Sequence, residues 1–277
     1  MPRRVVIFCH TYFPYVGGAE IAVRELTARL PGYHFDLIAA RLDRTLPAEE
    51  TIGAVHVHRV GNGSWRDKYR YPWLASREAA RLHVQQPVAL AWGILGSWGG
   101  WAALKFVERT PGVAYLLTEQ SGDSEWFIRR RTWFWRWRYR QIYSRANAVQ
   151  VISQYLARRV RRYGYRGHPV VIPNGVDLAR FVRPPAPEVA AIRQRVGIPA
   201  DAVVVVSASR LVAKNGLRDL IAAIAVLHQR FGQQVHLLLA GGGPLEARLQ
   251  AQASELGVRQ LVHLVGRIDH TQLPAYL

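Results

Sequence analysis

Short β-branched or apolar runs alternate along the chain with longer stretches whose apolar residues recur at helical spacing. The runs are VVIF (5–8), FDLIAA (35–40), VHVHRV (55–60), VALAWG (88–93), VAYLLT (113–118), AVQVIS (148–153) and VVIP (170–173). Runs this short suit strands covered on both faces, and their alternation with helices predicts an α/β fold with a parallel, doubly wound sheet. At FVRPPAPEVAAIRQRVGIPA (181–200), Pro184, Pro185 and Pro187 prevent regular pairing, which reads as a linker followed by a short helix. The alternation then restarts with VVVVSAS (203–209), a helix through LRDLIAAIAVLHQRF, VHLLLAG (235–241), a helix from Pro244, LVHLVG (261–266) and a helical start at Gln272. The expected organisation is one domain over 1–180, a linker over 181–200 and a second, incomplete domain over 201–277.

One uncharged stretch, PVALAWGILGSWGGWAAL (87–104), is long enough to raise a membrane span. Gly93, Gly96, Gly99 and Gly100 divide it, and the division predicts a buried strand followed by a small-residue helix instead. The N-terminal MPRRVVIFCHTYFP has a basic start but too short an apolar run for a signal peptide. With 277 residues and 49% hydrophobic content, the chain is expected to be globular. Cys9 is the only cysteine, which rules out an intrachain disulfide and a cysteine-based metal site. A reducing, cytoplasmic setting fits. The net charge of +18 comes almost wholly from arginine, since Lys68, Lys105 and Lys214 are the only lysines. Base composition of the source genome and a phosphate-rich partner both account for such a preference.

Four motifs carry candidate chemistry. In YFPYVGGAE (12–20), Gly17 and Gly18 let the backbone approach a ligand, and the helix that follows offers free N–H groups to an anion. The spacing is not the G-x-G-x-x-G of dinucleotide folds. In VIPNGVDLARF (171–181), Asn174-Gly175 signals a turn at a domain boundary. In SASRLVAKNGLRDLIAAI (207–224), Arg210 and Lys214 lie on the loop after a strand, where open α/β sheets bind ligands and where two cations suit a diphosphate. In LLLAGGGPLEARL (238–250), Gly241, Gly242 and Gly243 precede a helix with Pro244 near its first turn. Taken singly, the glycine pair and Asn174-Gly175 read more readily as plain turns, and Arg210 and Lys214 as solvated loop charges.

In order, YFPYVGGAE, VISQYLARRV, VIPNGVDLARF, SRLVAKNG, LAGGGPLEARL and VHLVGRIDHTQLPAYL resemble the retaining nucleotide-sugar glycosyltransferases of family 4, and the resemblance covers nearly the whole chain. It implies the GT-B fold, two Rossmann-like domains facing across a cleft, the first binding acceptor and the second binding a nucleotide-sugar donor. It implies that Gly17 and Gly18 face the donor phosphates and sugar, with Gly241 and Gly242 also at the donor. Arg210 matches the arginine that neutralises the departing diphosphate, and side-chain charge there implies metal-independent transfer with no cofactor. Lys214 is displaced: the family places lysine immediately before the glycine, where this chain has Asn215. A histidine of the family is replaced by Gln120, in LLTEQSGD, which hydrogen-bonds but does not act as a charged base, so Gln120 and Asn174 are assigned to positioning. The family's acidic pair would lie beyond Leu277. That implies a truncated chain and leaves open whether it acts as it stands.

RRRTWFWRWRYR (129–140) is the densest charge and aromatic cluster, within a segment lacking any acidic residue between Glu125 and Asp177. It is expected to form the crossover helix between the strands at 113–118 and 148–153, with Arg129, Arg130, Arg131, Trp133 and Trp137 facing an anionic membrane. Nucleic acid fits less well, because no recognition module accompanies the cluster. The expected activity is retaining transfer of a hexose to a lipid-linked or cell-envelope glycan acceptor, by a protein peripheral on the inner face of the cytoplasmic membrane. The rivals are a non-catalytic nucleotide-sugar-binding fragment, an epimerase of the same fold and, more weakly, a dinucleotide-dependent oxidoreductase.

Overall fold

The computed structural model describes residues 3–232 and 235–277, which divide into two compact units, one ending at Gly175 and the other beginning at Val176. The first contains β1 (Arg3–Phe8), α1 (Gly18–Ala28), β2 (Tyr33–Ala40), β3 (Glu49–Ile52), β4 (Val55–Val60), α2 (Asp67–Gln85) and β5 (Val88–Ile94). It continues with α3 (Gly100–Arg109), β6 (Ala114–Glu119), α4 (Glu125–Thr132), α5 (Arg136–Ser144), β7 (Ala148–Val151), α6 (Gln154–Arg162) and β8 (Val170–Val171). The eight strands form one sheet in the order β3-β4-β2-β1-β5-β6-β7-β8. Every pairing is parallel except β3 with β4.

Both faces of this sheet are covered, as continuous apolar strands require. Val6 and Phe8 of β1 enter the core beneath α2 and α3, whereas Val5 and Ile7 face the opposite layer with Val23 of α1. Val6, Ile7 and Phe8 are wholly buried, each worth on the order of 1.5–3 kcal/mol. Because β1 lies between β2 and β5, the strand order reverses direction there. That reversal opens a crevice at the carboxyl ends of β1 and β5.

The second unit comprises α7 (Ala186–Val196), β9 (Val203–Ala208), α8 (Leu217–Phe231), β10 (Val235–Ala240), α9 (Glu246–Glu255), β11 (Val262–Gly266) and α10 (Leu273–Tyr276). Its sheet is parallel, in the order β11-β10-β9. Helix α7 starts with proline in its first turn and ends at Gly197, whose φ of 73° is the left-handed conformation that favours glycine at a helix end.

The strand expectations hold with small shifts, and VHVHRV matches β4 residue for residue. Strand β3 is an addition: EETI carries two glutamates, yet it pairs antiparallel on the sheet edge, where one side remains open to water. The run at 170–173 shrinks to two residues, since Pro173 has no N–H to donate. The stretch 87–104 divides as expected into β5 and α3, joined by a tight turn at Leu95–Gly99. Among the described residues, no helix is long and apolar enough to cross a membrane.

The crossover at 129–140 is not one helix. Helix α4 ends at Thr132, Trp133–Trp135 form a single 3-10 turn, and α5 starts at Arg136. Thr132 bonds back to the Ile128 carbonyl at 2.8 Å, an arrangement that bends helices. The break redirects the chain: Trp135 stacks on Trp101 at 4.8 Å between ring centroids, and Tyr139 and Ile142 enter the core.

Candidate active site

The crevice at the end of β1 and β5 is a cavity of about 730 Å³ in the first unit. His10 follows β1, Leu95 to Trp98 follow β5, Glu119 ends β6, Lys68 and Tyr69 begin α2, and Arg131, Phe134 and Trp135 come from the broken crossover. The turn after β5 is built on a left-handed Leu95, with φ of 66°, an uncommon conformation for a branched residue. The buried Glu119 carboxylate holds this turn. It accepts hydrogen bonds from the Gly96 N–H (2.9 Å), the Ser121 N–H (2.7 Å) and the Tyr143 hydroxyl (2.9 Å), and Tyr143 in turn meets the Tyr139 hydroxyl at 2.9 Å.

His10 projects a buried Nε2 that has no hydrogen-bond partner among the described residues. Burial, together with the charges of Arg131 and Lys68, lowers its pKa to about 4. It is therefore a neutral imidazole at pH 7, available for a neutral hydrogen bond to a ligand hydroxyl. The aromatic wall is a column of indoles, Trp98 stacked on Trp101 at 5.9 Å and Trp101 on Trp135 at 4.8 Å. Arg131 lies over Trp98 at 5.4 Å. The cavity thus combines flat apolar faces, two cations and a neutral imidazole, which suits a ring-shaped polyol beside an anionic group.

The segment Gln120 to Asp123 is held by Arg159, whose side chain is 1% exposed. Arg159 donates to Glu125 Oε1 at 3.1 Å and to the carbonyls of Ser121 and Asp123. Burial and three acceptors make this arginine a strut of the loop, although it lies in the same acid-free stretch between Glu125 and Asp177 as the cluster at 129–140. Arg138 likewise pairs with Glu108 across 30 residues of sequence, donating from Nη1 at 2.7 Å. Of the residues assigned to a membrane face, Arg129, Arg130, Trp133 and Trp137 are exposed, with Trp133 at 75% and Trp137 at 66%. Arg131 is exposed as well, but its guanidinium turns onto Trp98 and lines the cavity.

Gln120 and Asn174 come together, the Asn174 amide donating to Gln120 Oε1 at 3.0 Å. Gly17 caps α1, and its N–H is already taken by Glu20 Oε2 at 2.8 Å, while Thr11 donates to Glu20 Oε1 at 2.8 Å. Glu20 does not stand out in the sequence beside the glycine pair, although the G-x-x-E spacing is a capping signal. A Cβ at Gly18 meets nothing within 4 Å, so that position stays open to a ligand.

In the second unit, the loops after β9 and β10 lie against each other at the carboxyl edge of the sheet. The Leu211 N–H donates to the Gly242 carbonyl at 3.1 Å and the Leu245 N–H to the Leu211 carbonyl at 3.2 Å. A Cβ at Gly241 would fall 1.9 Å from the Ser209 carbonyl oxygen, and one at Gly243 would fall 2.5 Å from that of Leu211. Only glycines allow the approach. It brings the exposed Arg210 beside the Gly241–Gly243 loop, with Asn215 donating to the Arg210 carbonyl at 2.7 Å; Lys214, also exposed, lies further along the same loop after β9. Arg267, after β11, joins them. A Cβ at Gly242 would be 3.2 Å from Arg267 Cγ. The signal for Arg267 was its place immediately after a strand end, in VGRID.

Comparison with known proteins matches residues 16–180 to the model of Glycosyltransferase Family 4 and residues 188–277 to that of Glycosyl transferases group 1. The chain is 37% identical over 139 residues to a GDP-mannose-dependent alpha-(1-6)-phosphatidylinositol monomannoside mannosyltransferase of Mycolicibacterium smegmatis, covering 50% of this chain and 35% of that protein. It is 24% identical to the alpha-monoglucosyldiacylglycerol synthase of Streptococcus pneumoniae, covering 99% of this chain and 63% of that protein. The matched part thus spans about a third to under two thirds of these relatives. Among solved structures, sucrose-phosphate synthase from Thermosynechococcus elongatus superposes with a TM-score of 0.81 at 23% identity, over 99% of this chain and 73% of that one. HepE from Anabaena, in complex with UDP and glucose, superposes with a TM-score of 0.70 at 19% identity, over 99% and 71%. These likenesses show the fold.

Proposed function

Because the chain belongs to Glycosyltransferase Family 4, we propose that it transfers a sugar from a nucleotide-sugar donor to a lipid-linked or envelope-glycan acceptor, with retention at the anomeric carbon. The observation that carries this reading is the pair of glycine-zipped loops that bring Arg210 and Arg267 to the Gly241–Gly243 backbone at one sheet edge, with Lys214 on the same loop as Arg210. A nucleoside diphosphate leaves with developing negative charge, and preorganised cations stabilise that charge without a metal. Gly241 and Gly242 bring backbone close to the diphosphate, Gly17 and Gly18 are assigned to donor binding, and Gln120 with Asn174 orients a sugar hydroxyl.

The acceptor occupies the cavity of the first unit, its headgroup stacked on Trp98 and Trp135 between Lys68 and Arg131. The names of two relatives, a phosphatidylinositol monomannoside mannosyltransferase and an alpha-monoglucosyldiacylglycerol synthase, support a lipid acceptor. The exposed Trp126, Trp133, Phe134 and Trp137 beside this cavity then rest at the headgroup level of an anionic membrane, on its cytoplasmic face. The test incubates the chain with UDP- and GDP-hexoses and a polar lipid extract, and reads the anomeric proton coupling of the product by NMR. A product with the donor's configuration is expected; inversion, or epimerised donor without transfer, rejects the reading. The membrane face has its own check. Sedimentation with anionic vesicles is expected to fall at least about tenfold in W133A/W137A and to weaken in high salt. Binding indifferent to lipid charge would exclude it.

A further inference from the structure

At the edge of the first unit away from the cavity, the β3–β4 hairpin meets the C-terminal half of α2 around one buried imidazole. His58 of β4 is 4% exposed. Its Nε2 meets Asp36 Oδ1 of β2 at 2.8 Å. Asp36 is fixed in turn, accepting from Arg4 Nε at 2.6 Å. An ionised Asp36 accepts a hydrogen bond from Nε2–H, so in the neutral ring the proton stays on Nε2 and the lone pair sits on Nδ1.

That Nδ1 is buried and has no hydrogen-bond partner among the described residues. It points between two carboxylates, 3.5 Å from Glu49 Oε1 of β3 and 3.7 Å from Glu78 Oε1 of α2. Glu49 is the register partner of His58 in the hairpin, so the backbone itself sets the first contact. The three ligand atoms lie within 4.8 Å of one another. A tetrahedral ion with bonds of about 2.0–2.2 Å to nitrogen and oxygen separates its ligands by about 3.4 Å. The two measured separations are too long for good hydrogen bonds and close to that edge length.

We propose that His58 Nδ1, Glu49 and Glu78 hold a divalent cation of the zinc class, with Asp36 orienting His58 from behind. A metal-bound histidine usually donates its second ring N–H to a carboxylate, and Asp36 stands in that position. One imidazole and two carboxylates leave a fourth position for water. The ion pins the exposed edge hairpin to α2, so it acts as a staple between three segments of the chain. The neighbouring set of Asp36, His56 and His58 is a weaker candidate, because the Arg4 that engages Asp36 Oδ2 is itself buried at 8% exposure and cannot swing away, and Asp36 Oδ1 already meets His58. Arg81 competes. It holds both Glu78 oxygens, Oε1 through Nη2 at 2.5 Å and Oε2 through Nε at 3.1 Å, and approaches Glu49 at 3.9 Å, but its side chain is half exposed and has water to swing into.

The test titrates zinc into the chelator-treated chain against a chromophoric competitor at neutral pH. One equivalent is expected to bind and to raise the melting temperature, with Glu49→Gln and Glu78→Gln each weakening the affinity at least about tenfold. His56→Gln leaves the affinity unchanged, and Arg81→Gln tightens it. His58→Gln abolishes the site; should that variant fail to fold, Glu49→Gln, at an exposed position that the fold tolerates, decides the question. X-ray absorption of the loaded chain should show nitrogen and oxygen ligands only. No zinc bound at tens of micromolar, affinity indifferent to both glutamates, or sulfur in the ligand shell overturns the proposal. None of these outcomes depends on sugar transfer.

Discussion

Replacing Arg210 with alanine is expected to cost sugar transfer about 10²–10³-fold, the range seen when one preorganised group facing developing charge is removed. The chain should keep its circular dichroism and melting temperature, because Arg210 is exposed and only its carbonyl, which alanine retains, takes part in the loop, accepting from Asn215 and the Val212 N–H. Titration with UDP and GDP should show weaker binding of whichever diphosphate the wild type prefers. The two readouts separate two kinds of failure. Lost transfer with unchanged nucleotide affinity would place Arg210 at the transition state alone, whereas full transfer would remove it from the donor site altogether. Arg267→Ala serves as the companion, since the same geometry puts that cation over Gly242.

Gly99→Ala is expected to destabilise the first unit by about 3 kcal/mol or to prevent its folding. Gly99 has ordinary helical dihedrals, so the cost does not come from its φ. It comes from space: a Cβ would fall 2.2 Å from the Ile94 carbonyl oxygen and 2.5 Å from that of Phe8. Both carbonyls belong to adjacent central strands and have no room to retreat. Gly18→Ala is the control, expected to stay within about 0.5 kcal/mol of wild type, because its Cβ meets nothing and alanine suits a helix. Thermal and urea unfolding of the two variants compare them directly, and equal stabilities would refute the packing account.

The sheet was legible because its strands are buried on both faces and written as short apolar runs; β4 and β5 could be bounded almost to the residue. The edges were less legible. Strand β3 is two glutamates, a threonine and an isoleucine, a pattern that becomes a strand only because β4 offers an open row of partners. The broken crossover escaped notice for a local reason. Its arginine and tryptophan alphabet suits a helix, and only the bond from Thr132 to Ile128 and the pull of Trp101 on Trp135 interrupt it. The loops after β9 and β10 were visible as glycines and cations after strand ends, and their mutual contact follows from β9 lying next to β10. The cavity was not visible, since His10, Lys68, Trp98, Glu119 and Arg131 come from five separate segments. Nothing in their local spacing announces that the sheet's reversal brings them together.

The indole column in that cavity has an optical consequence. Trp98 and Trp101 lie within 16° of parallel, Trp101 and Trp135 within 22°, at centroid separations where the excited states of neighbouring rings couple. The same column flanks the cavity through Trp98 and Trp135, so whatever enters changes the environment of both terminal rings. The protein therefore carries its own spectroscopic reporter: a near-ultraviolet dichroism signal seated where the acceptor is expected, readable without any label.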